Sequence, residues 1–447
     1  MMNQNLKAWL YENVIARQRV RASAPLEKIA ARFTPEDSAR ALDEILTHAV
    51  THVPYYRRIA ETKNLPAGGK LALEDFPLLT RADLQTNFTE LTSDDAAQRQ
   101  PRKDSTGGST GQPVVFLHDF DHQAWVRATE EYLFRSWFGI DRSRDTKLIL
   151  WGSAVDLHKS KNWIQKKWML ACSNTHLLNA FRMSPEIMRN YAAQYCRLRP
   201  KLVKGYAVSV YTFCRFVREN GIKLSPPPRA VYTAADTLTP EMREVIEGEL
   251  GCRVTDIYGS REVGLVAAQC PRGKYHVLNF MAHLEILRAD GSAAAPGEEG
   301  RIAITTLHNY SMPLIRYEIG DFAVAGEQCN CGLTSPSFDS IRGRIFDYFT
   351  MPGGHLVEGG YFTKPMFNRP WVEEFQVLQT ELDVIELHLK LRRPPPEGER
   401  EDVMDQMQKI AGPNVRIVWK EVDEIPRTRH GKLFYCRSLV TKNVRPQ

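Results

Sequence analysis

The segment Ser105-Thr106-Gly107-Gly108-Ser109-Thr110-Gly111-Gln112-Pro113 decides how the rest of the chain is interpreted. Its first seven residues are all Gly, Ser or Thr, so the segment offers no side chain for a hydrophobic core. Glycines allow backbone N–H groups to surround an anion, and hydroxyl groups add further donors. The apolar run 114–117 follows directly and predicts an anchoring strand. The pattern therefore indicates a phosphate-binding loop, with a flexible Ser/Gly linker as the alternative. It is not a Walker loop, because no Gly-Lys-Ser/Thr follows.

Composition limits the classes of protein that need to be considered. At 447 residues the chain is long enough for two or more domains, and 43% hydrophobic with 25% charged residues is ordinary for a globular protein. The net charge of +6 is scattered in pairs rather than gathered in a basic stripe, which argues against a nucleic-acid partner. No apolar run approaches the roughly 20 residues that cross a bilayer, and the N-terminus has no secretory signal. We therefore expect a cytoplasmic protein without a membrane partner, with mostly reduced cysteines.

Apolar periodicity predicts a helical entry segment over residues 1–100, followed by alternating helices and strands. In the entry segment, 35–50 has apolar residues at helical spacing, and Thr80 is placed to cap a second helix. The alternating elements are helices over 121–138, 185–198, 208–220 and 240–250, and strands over 147–151, 202–205, 230–233 and 253–258. This alternation argues for α/β layers.

Strands predominate from about residue 280. The runs 284–287 and 301–305 flank two turn signals and predict a hairpin with a long loop, inside a β-rich part over 280–340. A smaller α+β module begins near residue 345, with strands over 375–378, 384–391 and 415–418 and a helix over 402–410. The predicted fold class is thus a large layered α/β domain with a β-rich subdomain, followed by a small α+β domain.

Three further stretches carry residue types suited to nucleotide chemistry. Glu262, between two glycines after a predicted strand, suits an Mg²⁺ ligand, and the nearby Tyr258 ring offers a stacking face; a turn with a solvated Arg–Glu pair is the alternative. Asp321 follows Gly320, where a carboxylate can accept hydrogen bonds from a ribose diol. Lys432 follows Gly431 on a predicted loop and suits a movable cation, although most such lysines are simply solvated.

The order and spacing of these motifs resemble the adenylate-forming (acyl-CoA synthetase) superfamily. The Ser/Thr/Gly segment is followed by Tyr-Gly-x-x-Glu, an Asp after Gly, a Gly-Arg pair and a C-terminal Gly-Lys. The resemblance spans about residues 50–437. Within the superfamily the chain is similar to the phenylacetate–CoA ligase-like branch, which includes ligases found with capsular polysaccharide pathways. The stretches 53–57 and 77–81 match the N-terminal region of that branch.

The resemblance implies a role for each motif in binding ATP and Mg²⁺. Residues of the loop would hold the β- and γ-phosphates: Ser105, Thr106, Gly107, Gly108, Ser109, Thr110 and Gly111. Ala235 and Asp236 would line the adenine, Tyr258 would stack on it, and Gly259 and Ser260 belong to the same motif. Asp321 would bind the ribose hydroxyls and Arg344 the ribose or phosphate. The implied catalytic residues are Lys432 on the substrate carboxylate and α-phosphate, Glu262 on Mg²⁺, and Thr110 beside it.

The resemblance also implies the reaction and the domain arrangement. A small-molecule carboxylic acid would be activated by ATP to an acyl-adenylate with release of pyrophosphate, and then transferred to CoA. Transfer to an amine, giving an amide in polysaccharide or secondary metabolism, and a nucleotide-binding protein without catalysis are the alternatives. The large domain would cover 1–342 and a small mobile domain 343–447, with a hinge near 343–347. The acid and the oligomeric state stay open.

Four residues outside these motifs suggest a metal site. Cys270, His276, Cys329 and Cys331 offer three thiolates and an imidazole, and they bracket the predicted hairpin. Such a set closes a tetrahedral zinc site without an open position, which indicates a structural ion. Unrelated buried cysteines are the alternative, and Cys172, Cys196, Cys214 and Cys252 are expected in the core. The phenylacetate–CoA ligase-like branch often has zinc at corresponding cysteines and a histidine.

Two positions depart from the superfamily pattern. Arg261 stands where a small hydroxyl residue usually precedes the glutamate, and its guanidinium suits a pair with an anionic substrate or with Glu262. Phe346 stands where the hinge more often has a charged residue, which leaves the second half-reaction open. The sequence contains no motif that identifies the acyl group bound in the pocket. The residues that line this pocket are assigned by position as Trp151, Tyr206 and Ala234.

Overall fold

The structure is a computed structural model, and its contacts divide the chain into two units. It describes residues 23–30, 33–65, 70–105, 114–151, 163–180, 183, 185–235, 237–344, 348–352, 356–358, 362, 364–366, 369–426 and 436–440. The first unit contains the described residues through Arg288, together with Ala293–Ile319 and Val324–Ser340. The second contains Ala289–Ser292, Gly320–Ala323 and the described residues from Ile341 onward.

The first unit carries ten helices within the described ranges. They are α1 (Ser23–Ala30), α2 (Pro35–His52), α3 (Pro54–Thr62), α4 (Arg81–Thr86), α5 (Phe88–Leu91), α6 (Phe120–Tyr132), α7 (Trp163–Cys172), α8 (Pro185–Leu198), α9 (Ala207–Glu219) and α10 (Pro240–Leu250). Short 3-10 turns occupy Leu73–Asp75 and Ala96–Arg99, and a π-helical turn, Leu133–Trp137, continues α6. The predicted helix over 121–138 is therefore α6 plus that turn.

Thirteen strands begin in the same part of the described chain. They are β1 (Arg102–Ser105), β2 (Val115–His118), β3 (Lys147–Leu150), β4 (Thr175–Leu178), β5 (Leu202–Tyr206), β6 (Ala230–Ala234), β7 (Val254–Ser260), β8 (Gly264–Gln269), β9 (Tyr275–Val277), β10 (Ala282–Leu287), β11 (Glu299–Thr306), β12 (Tyr317–Ala325) and β13 (Ser337–Arg344). β1 and β2 form an antiparallel hairpin of their own. The other eleven form one sheet in the order β10-β11-β12-β13-β9-β8-β7-β6-β5-β3-β4.

This sheet changes character at β7, earlier in the chain than the change near residue 280 that the sequence pattern predicts. β4, β3, β5, β6 and β7 are parallel and alternate with helices along the chain. The pairs β7–β8, β8–β9, β9–β13 and β10–β11 are antiparallel. The predicted hairpin over 284–287 and 301–305 is β10–β11. The layered α/β fold class with a β-rich part is confirmed.

Helix starts follow from side chains that satisfy the first free N–H groups. Thr80 accepts a hydrogen bond from the N–H of Asp83 and forms a capping box with it, which confirms the predicted cap. Asp119 caps α6 by accepting from the N–H of His122 at 2.7 Å, and it also accepts from the N–H groups of Tyr310 (2.7 Å) and Ser311 (3.1 Å). Asp119 thus ties α6 to a loop nearly 200 residues away.

The second unit is a small α+β structure. Its elements are β14 (Tyr348–Thr350), β15 (Leu356–Glu358), a 3-10 turn (Lys364–Met366), β16 (Val372–Glu381), β17 (Val384–Leu391), α11 (Glu399–Ala411), β18 (Arg416–Glu421) and β19 (Cys436–Ser438). A four-stranded sheet has the order β18-β17-β16-β19. Arg369 pairs with Glu399 and Asp402 at the start of α11. Among the helices of the described residues, none is both long enough and apolar enough to cross a bilayer.

Candidate functional site

Several of the predicted site residues lie at the carboxyl ends of the parallel strands. Tyr206 ends β5 and pairs with Ala234 at the end of β6, and Ala234 pairs with Ile257 near the end of β7. Ala235, Ser260 and Glu262 follow at the same edge. In open α/β sheets, ligands bind outside the carboxyl ends of the strands, so this edge is the candidate functional site.

The turn between β7 and β8 can close only because two of its residues are glycines. A Cβ atom on Gly259 would lie 2.1 Å from the carbonyl oxygen of Gly264, and Gly264 has a left-handed φ of +78°. The ladder has a register shift between Tyr258 and Gly259. This tight reversal places residues 261–263 beyond the end of the sheet.

Glu262 is the acidic residue of this turn, and its side chain is only 5% exposed. Its backbone N–H donates to Ser260 Oγ at 3.2 Å, and its carbonyl oxygen accepts from His118 Nε2 at 3.0 Å. Within the described ranges, its carboxylate makes no hydrogen bond and no ion pair. A buried carboxylate is stable only with a partner, so this position suits a cation ligand.

The predicted loop begins at Ser105, the last residue of β1. Arg261 Nη1 donates to the carbonyl oxygen of Ser105 at 3.2 Å, so the glutamate turn and the start of the loop are in contact. Arg261 therefore bonds to backbone within the described residues, rather than to Glu262 as its sequence position suggested. The remaining loop residues lie outside the described ranges: Thr106, Gly107, Gly108, Ser109, Thr110 and Gly111. The predicted anchoring strand is β2.

The other predicted nucleotide residues fall into two groups. Tyr258 lies on β7 with 9% exposure, and Ala235 has a left-handed φ of +73°, an unfavourable conformation for a residue with a Cβ atom. Asp321 lies within β12 and is 7% exposed. Asp236, the hinge residues 345–347, the side chain of Arg344 and the whole of Lys432 lie outside the described residues.

The residues assigned to the acyl pocket are partly in contact. The rings of Trp151 and Tyr206 stack with centroids 4.1 Å apart and planes 18° apart. Lys204 Nζ lies 5.6 Å from the Trp151 ring centroid and 4.9 Å from that of Tyr232. Ala234, the third predicted residue, is partly buried at the end of the neighbouring strand.

An ion-pair network beside this stack has no sequence signal. Glu130 Oε1 binds Lys204 Nζ at 2.9 Å and its Oε2 binds Arg142 Nη2 at 2.6 Å. Burial by itself would raise the pKa of Glu130, but the two cations lower it well below its ordinary value. The partners are 12 and 74 residues from Glu130, and no motif marks them.

Three imidazoles also lie near the glutamate turn. His118 and His122 stack with ring centroids 4.2 Å apart, and His122 is 1% exposed, with no hydrogen-bond partner for either ring nitrogen among the residues that the structure describes. His308 Nε2 bonds to the carbonyl oxygen of Phe280 at 2.8 Å. Burial lowers the pKa of all three, that of His308 to about 4. All three are therefore neutral at pH 7.

The predicted Cys/His set is brought together at the other end of β8. One ligand atom from each of Cys270, His276, Cys329 and Cys331 lies within 4.8 Å of all the others. Cys270 Sγ is 3.8 Å from Cys329 Sγ, and Cys331 Sγ is 3.2 Å from His276 Nε2. The β9–β13 register, which pairs His276 with Ser337, brings the two cysteine-bearing loops together. We refer to these four residues as the Cys/His cluster.

The geometry of the Cys/His cluster fits a tetrahedral metal ion. Zinc–sulfur bonds of about 2.3 Å in a tetrahedral site place two sulfur atoms about 3.8 Å apart. Ser335 Oγ lies 3.4 Å from His276 Nδ1, which leaves Nε2 to face Cys331. Burial lowers the pKa of His276, which favours the neutral imidazole that binds metals.

The remaining cysteines differ partly from expectation. None of the eight cysteines, all of which lie in the described part of the chain, forms a disulfide. Cys172 and Cys214 are buried as predicted, whereas Cys196 and Cys252 are partly exposed, so the prediction that all four lie in the core is wrong for these two. The sulfur of Cys196 contacts the carbonyl oxygen of Lys223, and Cys252 lies just before β7, where it is partly exposed.

Comparisons with known proteins agree with this architecture. A family model described as the CapK C-terminal domain matches residues 349–438. Protein CapK of Staphylococcus aureus is 23% identical over 405 residues, covering 87% of this chain and 86% of the relative. The phenylacetate-coenzyme A ligase of Escherichia coli K12 is 26% identical over 344 residues, covering 74% and 75%.

Solved structures with the same fold include a 2-hydroxyisobutyryl-CoA ligase in the postadenylation state with an acyl-AMP. It matches with a TM-score of 0.68 at 18% identity over 91% of this chain and 89% of the ligase. The O-succinylbenzoate coenzyme A synthetase of Bacillus subtilis, in complex with ATP and magnesium, matches with a TM-score of 0.51 at 16% identity over 74% and 68%. The sequence relatives, the family model and the fold together confirm the resemblance: the chain is similar in sequence to CapK and to phenylacetate–CoA ligases, and it has the fold of adenylate-forming CoA ligases.

Proposed function

We propose that this protein is an AMP-forming acid ligase that converts a carboxylic acid and ATP into an acyl-adenylate and pyrophosphate, and then passes the acyl group to CoA. The contact between the Glu262 turn and Ser105 is the observation that carries the proposal. It joins a buried carboxylate that has no hydrogen bond or ion pair within the described residues to the start of a Gly/Ser/Thr segment, at the edge of a parallel sheet. A metal ligand and a phosphate-binding segment are thus adjacent, as a metal–triphosphate complex requires.

The proposed nucleotide site uses the residues assigned by the motifs. Glu262 would bind Mg²⁺, Ser105 and the loop after it would hold the β- and γ-phosphates, and Asp321 would bind the ribose. Ala235, Asp236 and Tyr258 would hold the adenine, and Arg344 the ribose or phosphate. The left-handed φ of Ala235 supports its part in this scheme, because strained backbone persists where the surrounding structure demands it.

The chemistry calls for positioning and charge neutralisation rather than a general base. A carboxylate oxygen of the acid attacks the α-phosphorus, and the bond from that phosphorus to pyrophosphate breaks. Both reactants are anionic, so cations that neutralise the α-phosphate lower the barrier. Mg²⁺ supplies part of this charge when bound, and Lys432 is proposed to supply the rest at the carboxylate and α-phosphate.

CoA is the proposed acceptor, and an amine is the alternative. The CoA thiol sulfur would attack the acyl carbon, AMP would leave with the oxygen of the broken acyl–phosphate anhydride bond, and the thiol proton would pass to solvent. The phenylacetate–CoA ligase relatives support a thiol acceptor by their names. The acid is proposed to occupy the space beside the stacked rings of Trp151 and Tyr206, next to Ala234.

Pyrophosphate release over a panel of aryl, aliphatic, amino and sugar acids tests this function. We expect release with one class of acid, and a further increase when CoA is added. Release that responds to an amine instead of CoA would replace the proposed acceptor. Silence with every acid, together with no binding of MgATP, would contradict the proposal.

Lys432→Ala tests the cation assigned to the first half-reaction. We expect acid-dependent ATP–pyrophosphate exchange to fall by on the order of 10²–10³, which is typical of losing one preorganised stabilising group. Lys409→Ala, an exposed lysine on α11 paired with Asp405, is the matched control and should leave exchange unchanged. Equal exchange in the Lys432→Ala variant and the control would remove the assignment.

The Cys/His cluster is proposed to hold a structural Zn²⁺. Three thiolates and one imidazole fill a tetrahedral coordination shell, so no position is left for a substrate or water. The ion would join the turn between β8 and β9 to the segment before β13. A metal assay on protein purified without chelator should give about one zinc per chain, and its absence would contradict the proposal.

A further inference from the structure

The Glu262 turn is joined to the β1–β2 hairpin by two hydrogen bonds that link distant parts of the sequence. Arg261 Nη1 donates to the carbonyl oxygen of Ser105 at 3.2 Å, across 156 residues. His118 Nε2 bonds to the carbonyl oxygen of Glu262 at 3.0 Å, across 144 residues. Because a carbonyl oxygen only accepts, the His118 proton must reside on Nε2.

These two bonds engage opposite ends of the hairpin. Ser105 pairs with Val115 at the end where the chain enters residues 106–113, whereas His118 pairs with Arg102 at the other end. Three residues along an antiparallel strand span about 10 Å. The hairpin is also held at Leu117, whose carbonyl oxygen accepts from Asn309 Nδ2 at 2.8 Å, and the two bonds from the Glu262 turn add a contact at each of its ends.

The His118 ring is itself held in place by its surroundings. It stacks on His122 in the first turn of α6 and packs at a tilt against Phe116, with ring centroids 4.2 and 4.8 Å apart. His122 in turn lies beside Gly264, where an added Cβ would come within 3.9 Å of its Cε1. The imidazole that bonds to the Glu262 carbonyl therefore has little freedom to turn away.

We infer that Arg261 and His118 are positioning residues that fix the start of the phosphate-binding segment relative to the Glu262 carboxylate. This inference rests on the proposed function, and it concerns the distance between two parts of that site. If the segment after Ser105 holds the β- and γ-phosphates and Glu262 holds Mg²⁺, the two must be spaced to suit one metal–triphosphate complex. The hydrogen bonds of Arg261 and His118 set that spacing through backbone contacts, and neither side chain is assigned a contact with the phosphates or with Mg²⁺.

MgATP and AMP distinguish this role from a general effect on folding. AMP lacks the β- and γ-phosphates, so its binding does not depend on the spacing between Ser105 and Glu262 that the two hydrogen bonds set. We expect Arg261→Met, which removes the donor at an exposed position, to weaken MgATP binding about tenfold, the effect of losing one hydrogen bond of roughly 1.4 kcal/mol. AMP binding should change by less than twofold.

A pair of His118 variants provides an independent test. The amide nitrogen of glutamine lies close to the position of Nε2, whereas that of asparagine lies close to Nδ1. His118→Gln should therefore keep MgATP binding near the wild-type value, and His118→Asn should weaken it to the same degree as Arg261→Met. Arg253→Gln is the matched arginine control, because Arg253 is exposed at the opposite end of β7.

The measurement is isothermal titration calorimetry on the full chain without a carboxylic acid, with thermal unfolding to confirm that each variant is folded. The inference is supported if MgATP binding alone falls in Arg261→Met while Arg253→Gln matches the wild type. It is overturned if Arg261→Met binds MgATP like the control, or if MgATP and AMP binding fall in parallel. Failure of the wild-type protein to bind MgATP would instead overturn the proposed function, and this inference with it.

Discussion

The two turns at the ends of β8 carry different kinds of chemistry although only six residues separate them. At one end, Glu262 is buried with a carboxylate that has no partner in the described part of the chain, and its neighbours come from about 150 residues away. At the other end, Cys270 faces three further ligands that together complete a closed set. The open site suits a ligand that enters and leaves, and the closed one suits a permanent ion.

This contrast predicts that variants of the Glu262 turn change the reaction rate, whereas variants of the Cys/His cluster change the free energy of unfolding. Losing a ligand of the Cys/His cluster removes an ion that binds the folded chain and not the unfolded one, so the free energy of unfolding falls. Losing the carboxylate of Glu262 removes a group that makes no hydrogen bond and no ion pair within the described residues. Variants of the two turns should therefore fail in different assays.

The largest expected effect comes from Cys270→Ala. We expect loss of the bound metal and a fall in the free energy of unfolding of more than about 4 kcal/mol, because a tightly bound ion contributes at least this much. Urea unfolding with metal analysis of the same sample measures both. Cys252→Ala, a free thiol outside the cluster, is the matched control and should keep the metal. A Cys270→Ala protein as stable as this control would show that the cluster holds no structural ion.

Glu262→Gln should lower activity and leave folding stability unchanged, in contrast to Cys270→Ala. The amide keeps the size of the side chain but removes the charge that binds Mg²⁺, so we expect acid-dependent ATP–pyrophosphate exchange to fall by on the order of 10²–10³. The thermal unfolding midpoint should stay close to that of the wild type. Glu244→Gln, exposed on α10, is the control. If Glu262→Gln lost stability and kept its activity, the two turns would not differ in the proposed way.

The contrast also explains which parts of the two sites could be predicted from sequence. The Cys/His cluster was predictable because its ligands come from two short stretches with chemically distinctive side chains. The contacts around Glu262 were not, since His118 carries no motif, and the partner of Arg261, a position that the sequence did single out, depends on how a separate hairpin packs. Glu130 and Lys204 were missed for the same reason: 74 residues separate them, and only the fold brings them within 2.9 Å.

The same distinction holds for the fold. Long amphipathic helices and buried parallel strands were predicted well, as α8 and α10 show with the expected bounds. β9 was missed because a strand of three residues gives little periodicity, and β8 was missed because its six residues include a glycine, two alanines and only one β-branched residue. β8, the strand that joins the two turns compared above, was thus absent from the sequence prediction, although residues at both turns were present in it.

The smallest expected effect is a loss of folding stability at low pH, and it tests the buried imidazole of His308. His308 stacks on Trp125 with centroids 3.7 Å apart and donates from Nε2 to the Phe280 carbonyl oxygen. Burial lowers its pKa to about 4, while Lys28 adds a smaller effect in the same direction. The unfolded chain, with a histidine pKa of about 6.5, binds this proton first as the pH falls.

Stability from His308 is therefore complete above pH 6.5 and is lost as the pH falls from 6.5 towards 4. The difference of about 2.5 pKa units corresponds to about 3 kcal/mol. We expect the free energy of unfolding of the wild type to fall by about this much more than that of His308→Gln across the same pH range, measured by urea titration at pH 7, 6, 5 and 4. The Cys/His cluster also loses stability in acid, since its ligands must be deprotonated, but that loss is common to both proteins and cancels in the comparison. Parallel pH profiles for the two proteins would mean that His308 is protonated equally easily in the folded and unfolded chains, contrary to its buried, stacked position.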